Sequence, residues 1–138
     1  MTSFWGAVTV LLALAGVYVS AYFTLVAYRF VKPDAYWMPQ VCRMDERSCG
    51  TVVHTRYGHL FLVPNGVWGV LWYALLLASE LWGLTGTLRP LLLAGSALTV
   101  AAAVYLIWAL DRKLGVFCVL CYASHGINAL IFLLLLWR

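Results

Sequence analysis

Charge is what this sequence has least of. Only 10% of its 138 residues are Asp, Glu, Lys or Arg, against roughly a quarter in soluble domains, while 64% are apolar and the mean hydropathy is +0.91. A soluble globular domain is excluded, and the lipid bilayer is the expected solvent; nucleic acid is not an expected partner. Internal repeats, low-complexity tracts and a second domain are absent too. Strict alternation of apolar and polar residues is also missing. Runs such as Leu91 to Leu93 and Leu133 to Leu136 are continuously apolar, which excludes a membrane barrel and leaves helices as the spanning elements. The first apolar segment lacks a basic start and is longer than the roughly 7 to 15 residues of a signal-peptide core, so it reads as a span.

The few charges that exist divide the chain. Between them lie four uncharged stretches, 2–28, 57–79, 90–110 and 114–137, of 21 to 27 residues each. A helix needs about 20 residues to cross a hydrocarbon core of about 30 Å. The expected fold is therefore an all-α integral membrane four-helix bundle forming one domain over 1–138. Its spans are expected at about 5–28, 62–83, 90–110 and 116–137, with a capping loop between helices 1 and 2 at about 29–61. An even number of spans puts both termini on one side. Trp5, Trp82 and Trp137 then fall at one interface and Tyr28, Tyr57 and Trp108 near the other, as aromatic belts require. Arg29, Lys32, Arg43, Arg47, Arg56, Arg112 and Lys113 lie on the loop side, seven against only Arg89 and Arg138 on the other. Because cytoplasmic loops are rich in Lys and Arg, this bias predicts a cytoplasmic long loop in a multi-pass cell-membrane protein.

The four cysteines, Cys42, Cys49, Cys118 and Cys121, all fall on that loop side. In Cys118-Val119-Leu120-Cys121 the sulfurs are one helical turn apart, the usual spacing of a redox-active dithiol. Cys118 opens the last span, where unpaired amides and the helix dipole favour a thiolate and Arg112 and Lys113 lie just upstream, so it is the candidate attacking thiol. Cys121 sits a turn deeper, facing the bundle interior, where it could exchange electrons with something dissolved in the membrane. Cys42 and Cys49, seven positions apart on a charged loop, fit an exposed pair. They suit a relay by thiol-disulfide exchange or a static staple of the loop. Thiols as small apolar fillers remain a third reading. A four-Cys zinc site is disfavoured because only one tight knuckle is present, and no metal is expected.

These residues resemble the vitamin K epoxide reductase family of membrane thiol oxidoreductases over nearly the whole chain. The resemblance is carried by Val104-Tyr105-Leu106-Ile107-Trp108, Phe117-Cys118-Val119-Leu120-Cys121, Ile127-Asn128, Cys49 with Arg56, Tyr57 and Gly58, and Asn65-Gly66-Val67-Trp68-Gly69. The quinone-linked bacterial disulfide oxidase with the same helix plan places its C-x-x-C in the first loop instead. The resemblance implies a cycle in which a partner dithiol attacks a loop disulfide at Cys42, Cys49 then attacks Cys118, and Cys121 is released beside a quinone. It also implies that Asn65 binds a quinone carbonyl; from the residue alone, a helix cap after Pro64 is the other reading. Animal members have a Tyr four residues after the second cysteine of the C-x-x-C; here that position is His125, an intramembrane ionisable group able to donate to a carbonyl. Trp68, Trp72, Leu106 and Val53 match positions lining the family's pocket, and Thr55 matches a loop hydroxyl, although ordinary packing would equally explain the first four.

The resemblance implies an active face outside the cytosol, where disulfides normally persist, against the cytoplasmic face that the charge bias predicts. The expected function is thus a quinone-dependent thiol-disulfide oxidoreductase driving protein disulfide formation. It would use a quinone of menaquinone, ubiquinone or vitamin K type and a separate thioredoxin-like or DsbA-like protein, as in a prokaryotic family member without a fused thioredoxin domain. Two alternatives stand beside it: a quinone or vitamin K epoxide reductase, and a non-catalytic membrane subunit whose disulfides are structural.

Overall fold

In lipid every backbone amide must find its partner inside the protein, and an uninterrupted apolar run does so most simply as a helix. A computed structural model describes residues 3–30, 55–115 and 119–137, and within them the long apolar runs are helical. The helices are α1 (Phe4–Ala27), α2 (Asn65–Leu81), α3 (Arg89–Ala109) and α4 (Val119–Trp137). The chain is an all-α membrane bundle. Three of its helical stretches, Phe4–Ala27, Arg89–Lys113 and Val119–Trp137, have the length and hydropathy of membrane spans. The fourth helix, α2, has 17 residues, the lower end of the usual span length of roughly 17 to 25.

Local signals set the helix ends. Ser3 caps α1, its Oγ accepting a hydrogen bond from the Gly6 amide at 3.1 Å. At the other end Phe30 N donates to Leu25 O and Arg29 N to Val26 O, a pair of bonds that closes the helix with Arg29 in the left-handed region (φ 63°). Pro90 stands in the first turn of α3, where its missing N–H costs no helical bond. α2 begins at Asn65 rather than a few residues earlier, because the chain before it forms a small hairpin. His59–Leu60 (β1) pairs antiparallel with Val63–Pro64 (β2) across Phe61 and Leu62, both at positive φ. Two positive φ values are what a two-residue hairpin turn needs, and bulky side chains adopt them only under strain. A short 3-10 turn, Arg56–Gly58, precedes the hairpin, and α3 ends in one widened π turn at Leu110–Leu114.

α1 packs most extensively on α2 and also on α4, and α3 packs on α4. The α1–α2 approach depends on small residues. A Cβ on Gly66 would stand 2.6 Å from the Ser20 carbonyl oxygen, so any larger residue there must push the two backbones apart. Near the end of the bundle that carries the chain termini, Ala13, Tyr73, Leu76, Leu92, Ile131 and Leu135 form a closed core. Arg89 fastens the same end, donating from Nη2 to the Leu136 carbonyl at 3.2 Å.

Candidate functional site

The opposite end of the bundle is built from different side chains. There the C-terminal half of α1, the first half of α2, α3 from Gly95 to its end and the first half of α4 surround a cavity of about 800 Å³. That volume lies within the range of roughly 300 to 1,000 Å³ typical of small-molecule sites. The space exists because α3 presents Gly95, Ala102, Ala103 and Ala109 to it, whereas the closed core is filled by Leu and Ile. Gly95 shapes one wall directly, since a Cβ there would come within 2.6 Å of Trp72 Cζ3, and only glycine leaves room for the indole this close to α3.

Six residues expected at a site from the sequence line this cavity: Asn65, Trp68, Trp72, Leu106, Cys121 and His125. They come from three helices and are up to sixty positions apart. Cys42, Cys49, Cys118 and Val53 lie outside the described residues, so among the cysteines only Cys121 is placed. It is 9% exposed and stands in the first turn of α4.

The polar side chains around the cavity divide into those that hold the roof and those that face the interior. Asn65 Nδ2 donates to the Tyr57 carbonyl at 2.8 Å, and Trp68 Nε1 donates to the Leu60 carbonyl at 3.1 Å. The hairpin and the turn before it are thereby tied down over the mouth. Pro64 is the N-cap of α2 and Asn65 is its first residue, so the Asn65 side chain does not cap the helix but reaches back to the loop. One of its two amide hydrogens is used in this way, and the second is available to a ligand. Trp72 Nε1 is buried and has no hydrogen-bond partner among the described residues, and it is covered by protein rather than open to the chamber.

At the rim, Arg56 Nη2 donates to the Tyr57 hydroxyl at 2.9 Å and the guanidinium lies 4.9 Å above the same ring. The hydrogen bond to Tyr57, more than the charge around it, raises the Arg56 pKa above its ordinary value. Tyr57 packs against Tyr105 with centroids 6.3 Å apart, and Tyr105 against Trp108 at 6.0 Å. Lys113 Nζ closes the series 5.5 Å above Trp108. This aromatic and cationic row has the composition of a membrane interface. The π turn is anchored to the first turn of α4 by the Tyr122 hydroxyl, which donates to Asp111 Oδ1 at 2.9 Å. Arg112 and Lys113, expected to bear on the thiols, are both exposed on that turn.

Sequence reasoning misses part of the lining. Nothing in it singles out Tyr73, Ser124 or Gly95, and Asn128 enters only within a motif. A signal for two of them is nevertheless present: Cys121, Ser124, His125 and Asn128 fall at i, i+3, i+4 and i+7, one face of an otherwise apolar helix. Among the described residues no three His, Cys, Asp or Glu side chains cluster as metal ligands. Chemically, the arrangement can hold a flat, largely apolar molecule beside Trp72, with a hydrogen-bond donor of Asn65 near the mouth and a cysteine sulfur at its side.

Comparison with known protein families finds one match: the family model of the vitamin K epoxide reductase family covers residues 7–136. Comparison with curated proteins finds no match.

Proposed function

The chain belongs to the vitamin K epoxide reductase family and is a multi-pass membrane redox enzyme of that kind, and from this premise we propose that it oxidises a thioredoxin-like or DsbA-like partner protein and passes the electrons to a membrane quinone. The observation that carries the proposal is the convergence of Cys121, Asn65, His125 and Trp72 on one apolar chamber at the loop end of the bundle. The chamber suits a quinone ring on three counts. Its volume is adequate, the Trp72 ring held against Gly95 forms one wall, and the unspent amide hydrogen of Asn65 is available to a carbonyl oxygen.

In the proposed cycle the two thiols of the partner become a disulfide, and the loop pair Cys42/Cys49 is reduced through a mixed disulfide at Cys42. Cys49 then attacks Cys118, which re-forms the Cys42–Cys49 bond and opens Cys118–Cys121. Two electrons and two protons finally pass to the quinone, giving the hydroquinone and restoring the Cys118–Cys121 bond. The Cys121 position beside the chamber makes it the cysteine that meets the quinone, while Asn65 and His125 orient the carbonyls. About 30 mV is worth about 1.4 kcal/mol for a two-electron couple, so a quinone well above thiol potentials drives the sequence toward disulfide formation.

The test is anaerobic turnover of purified protein with a reduced thioredoxin-like partner and a menaquinone or ubiquinone analogue, for wild type and for Cys42→Ala, Cys49→Ala, Cys118→Ala and Cys121→Ala. Each substitution is expected to abolish turnover, with mixed disulfides trapped in the Cys49 or Cys118 variants. Quinone reduction that survives Cys121→Ala would refute the relay and leave the cysteines as staples. The family's description favours a second reading, reduction of a quinone epoxide. Offering the epoxide as sole oxidant separates the two, since a disulfide-forming enzyme of the first kind turns over with the quinone alone.

For orientation, the seven-to-two excess of Lys and Arg on the loop side places the redox face in the cytoplasm. A membrane-impermeant maleimide is then expected to leave reduced Cys42 unlabelled in intact cells and to label it after permeabilisation. Labelling in intact cells would reverse the assignment.

A further inference from the structure

The four polar positions on the inner face of α4 are not equivalent. Asn128 lies seven residues beyond Cys121, about 10 Å along the helix axis, and lines the inner part of the same cavity. Its Oδ1 accepts a hydrogen bond from the Tyr73 hydroxyl at 2.7 Å. Because an amide oxygen can only accept, the proton shared in this bond is the phenolic one of Tyr73. Tyr73 cannot swing away, since it is 1% exposed and its ring fills the space beside Gly16 of α1.

This bond determines which way the amide points. A side-chain amide has its acceptor on one branch and two N–H donors on the other. With the carbonyl branch held by Tyr73, the NH2 branch is turned from Tyr73, and it makes no hydrogen bond among the described residues. An amide nitrogen inside a membrane bundle is costly to leave without an acceptor.

We propose that Asn128 is a further ligand-binding residue of the cavity, donating to a carbonyl oxygen at the inner end of the quinone, and that Tyr73 is its positioning residue. The proposal rests on the quinone reading above. It adds a donor two turns inside Cys121 to those near the mouth, and so favours substrates with carbonyl oxygens on opposite edges of the ring. Tyr73 acts only through Asn128, because its single proton is already spent on the amide.

Binding of 2-methyl-1,4-naphthoquinone to the oxidised, detergent-solubilised protein, read by quenching of tryptophan fluorescence, tests this without turnover. Asn128→Leu is expected to raise Kd about tenfold, which corresponds to about 1.4 kcal/mol, a strong single hydrogen bond. Tyr73→Phe keeps the ring's packing and is expected to raise Kd severalfold with the thermal midpoint nearly unchanged. The double variant should match Asn128→Leu alone, because the two residues act as one unit. In turnover the single variants should raise KM with little change in kcat. An unchanged Kd in Tyr73→Phe and Asn128→Leu, or effects that multiply in the double variant, would overturn the assignment while leaving the quinone reading intact. If wild type itself shows no saturable quenching, the quinone reading fails and this inference with it. Should Asn128→Leu not fold, the Kd of Tyr73→Phe decides the matter alone.

Discussion

The two ends of the bundle differ both in side chains and in packing. At the terminal end Leu76, Leu92, Ile131 and Leu135 meet around Ala13 with essentially no exposed surface, while from Gly95 onward α3 turns Ala102, Ala103 and Ala109 as well to a cavity of about 800 Å³. Lipid supplies no hydrophobic drive between helices, so their association depends on close packing and hydrogen bonds. The closed end therefore contributes the stability that the open end forgoes, and the cavity can exist because its wall is set by small residues and by side chains tied to one another. Trp72 lies on Gly95, Tyr73 is bonded to Asn128, and Asn65 and Trp68 are bonded to the loop above.

That contrast can be broken from either side. The largest effect on stability is expected for Leu76→Ala, which opens a void in the closed core. The cost should be about 2 kcal/mol, the low end for a buried Leu, because in lipid the loss is packing rather than transfer from water. Unfolding in a graded denaturing detergent should show the shift, with the quinone KM of the folded fraction unchanged. A similar or somewhat smaller loss, about 1 to 2 kcal/mol, is expected for Gly66→Ala, where the new methyl meets the Ser20 backbone and must spread α1 from α2. This variant should also disturb turnover, since Asn65 and Trp68 sit in the same helical turn. The smallest effect on stability is expected for Ala103→Leu, which fills part of the cavity instead of emptying the core. Its thermal midpoint should stay close to wild type while KM for quinone rises severalfold. If Ala103→Leu destabilised as much as Leu76→Ala, the two ends would not differ in packing as described.

Much of the architecture is legible in the residues alone. Fourteen charges among 138 residues mark out four apolar runs, and runs of that length in lipid have little choice but to be helices. The start of α2 is less legible. Leu62, Val63 and Pro64 read as part of an apolar span, yet they belong to a hairpin and a helix boundary, because Asn65 and Trp68 bond back to Tyr57 and Leu60 and draw the chain over the cavity mouth. Trp68, Trp72 and Leu106 illustrate another limit: aromatic and aliphatic residues at helical spacing look alike whether they fill a core or line a chamber. Only the residue on the facing helix decides, as Gly95 does for Trp72.

Composition and spacing thus dictated the solvent, the class of fold and the face of α4 that carries Cys121, Ser124, His125 and Asn128, since these follow from hydropathy and helical periodicity within single segments. What periodicity could not supply is the contact between segments. The Tyr73 to Asn128 bond joins positions fifty-five residues apart, and the approach of Gly66 to Ser20 depends on how α1 and α2 cross. The cavity is a difference between what four helices fill and what they leave open. A volume of that kind belongs to no single stretch of sequence, and it came into view only when the helices were placed side by side.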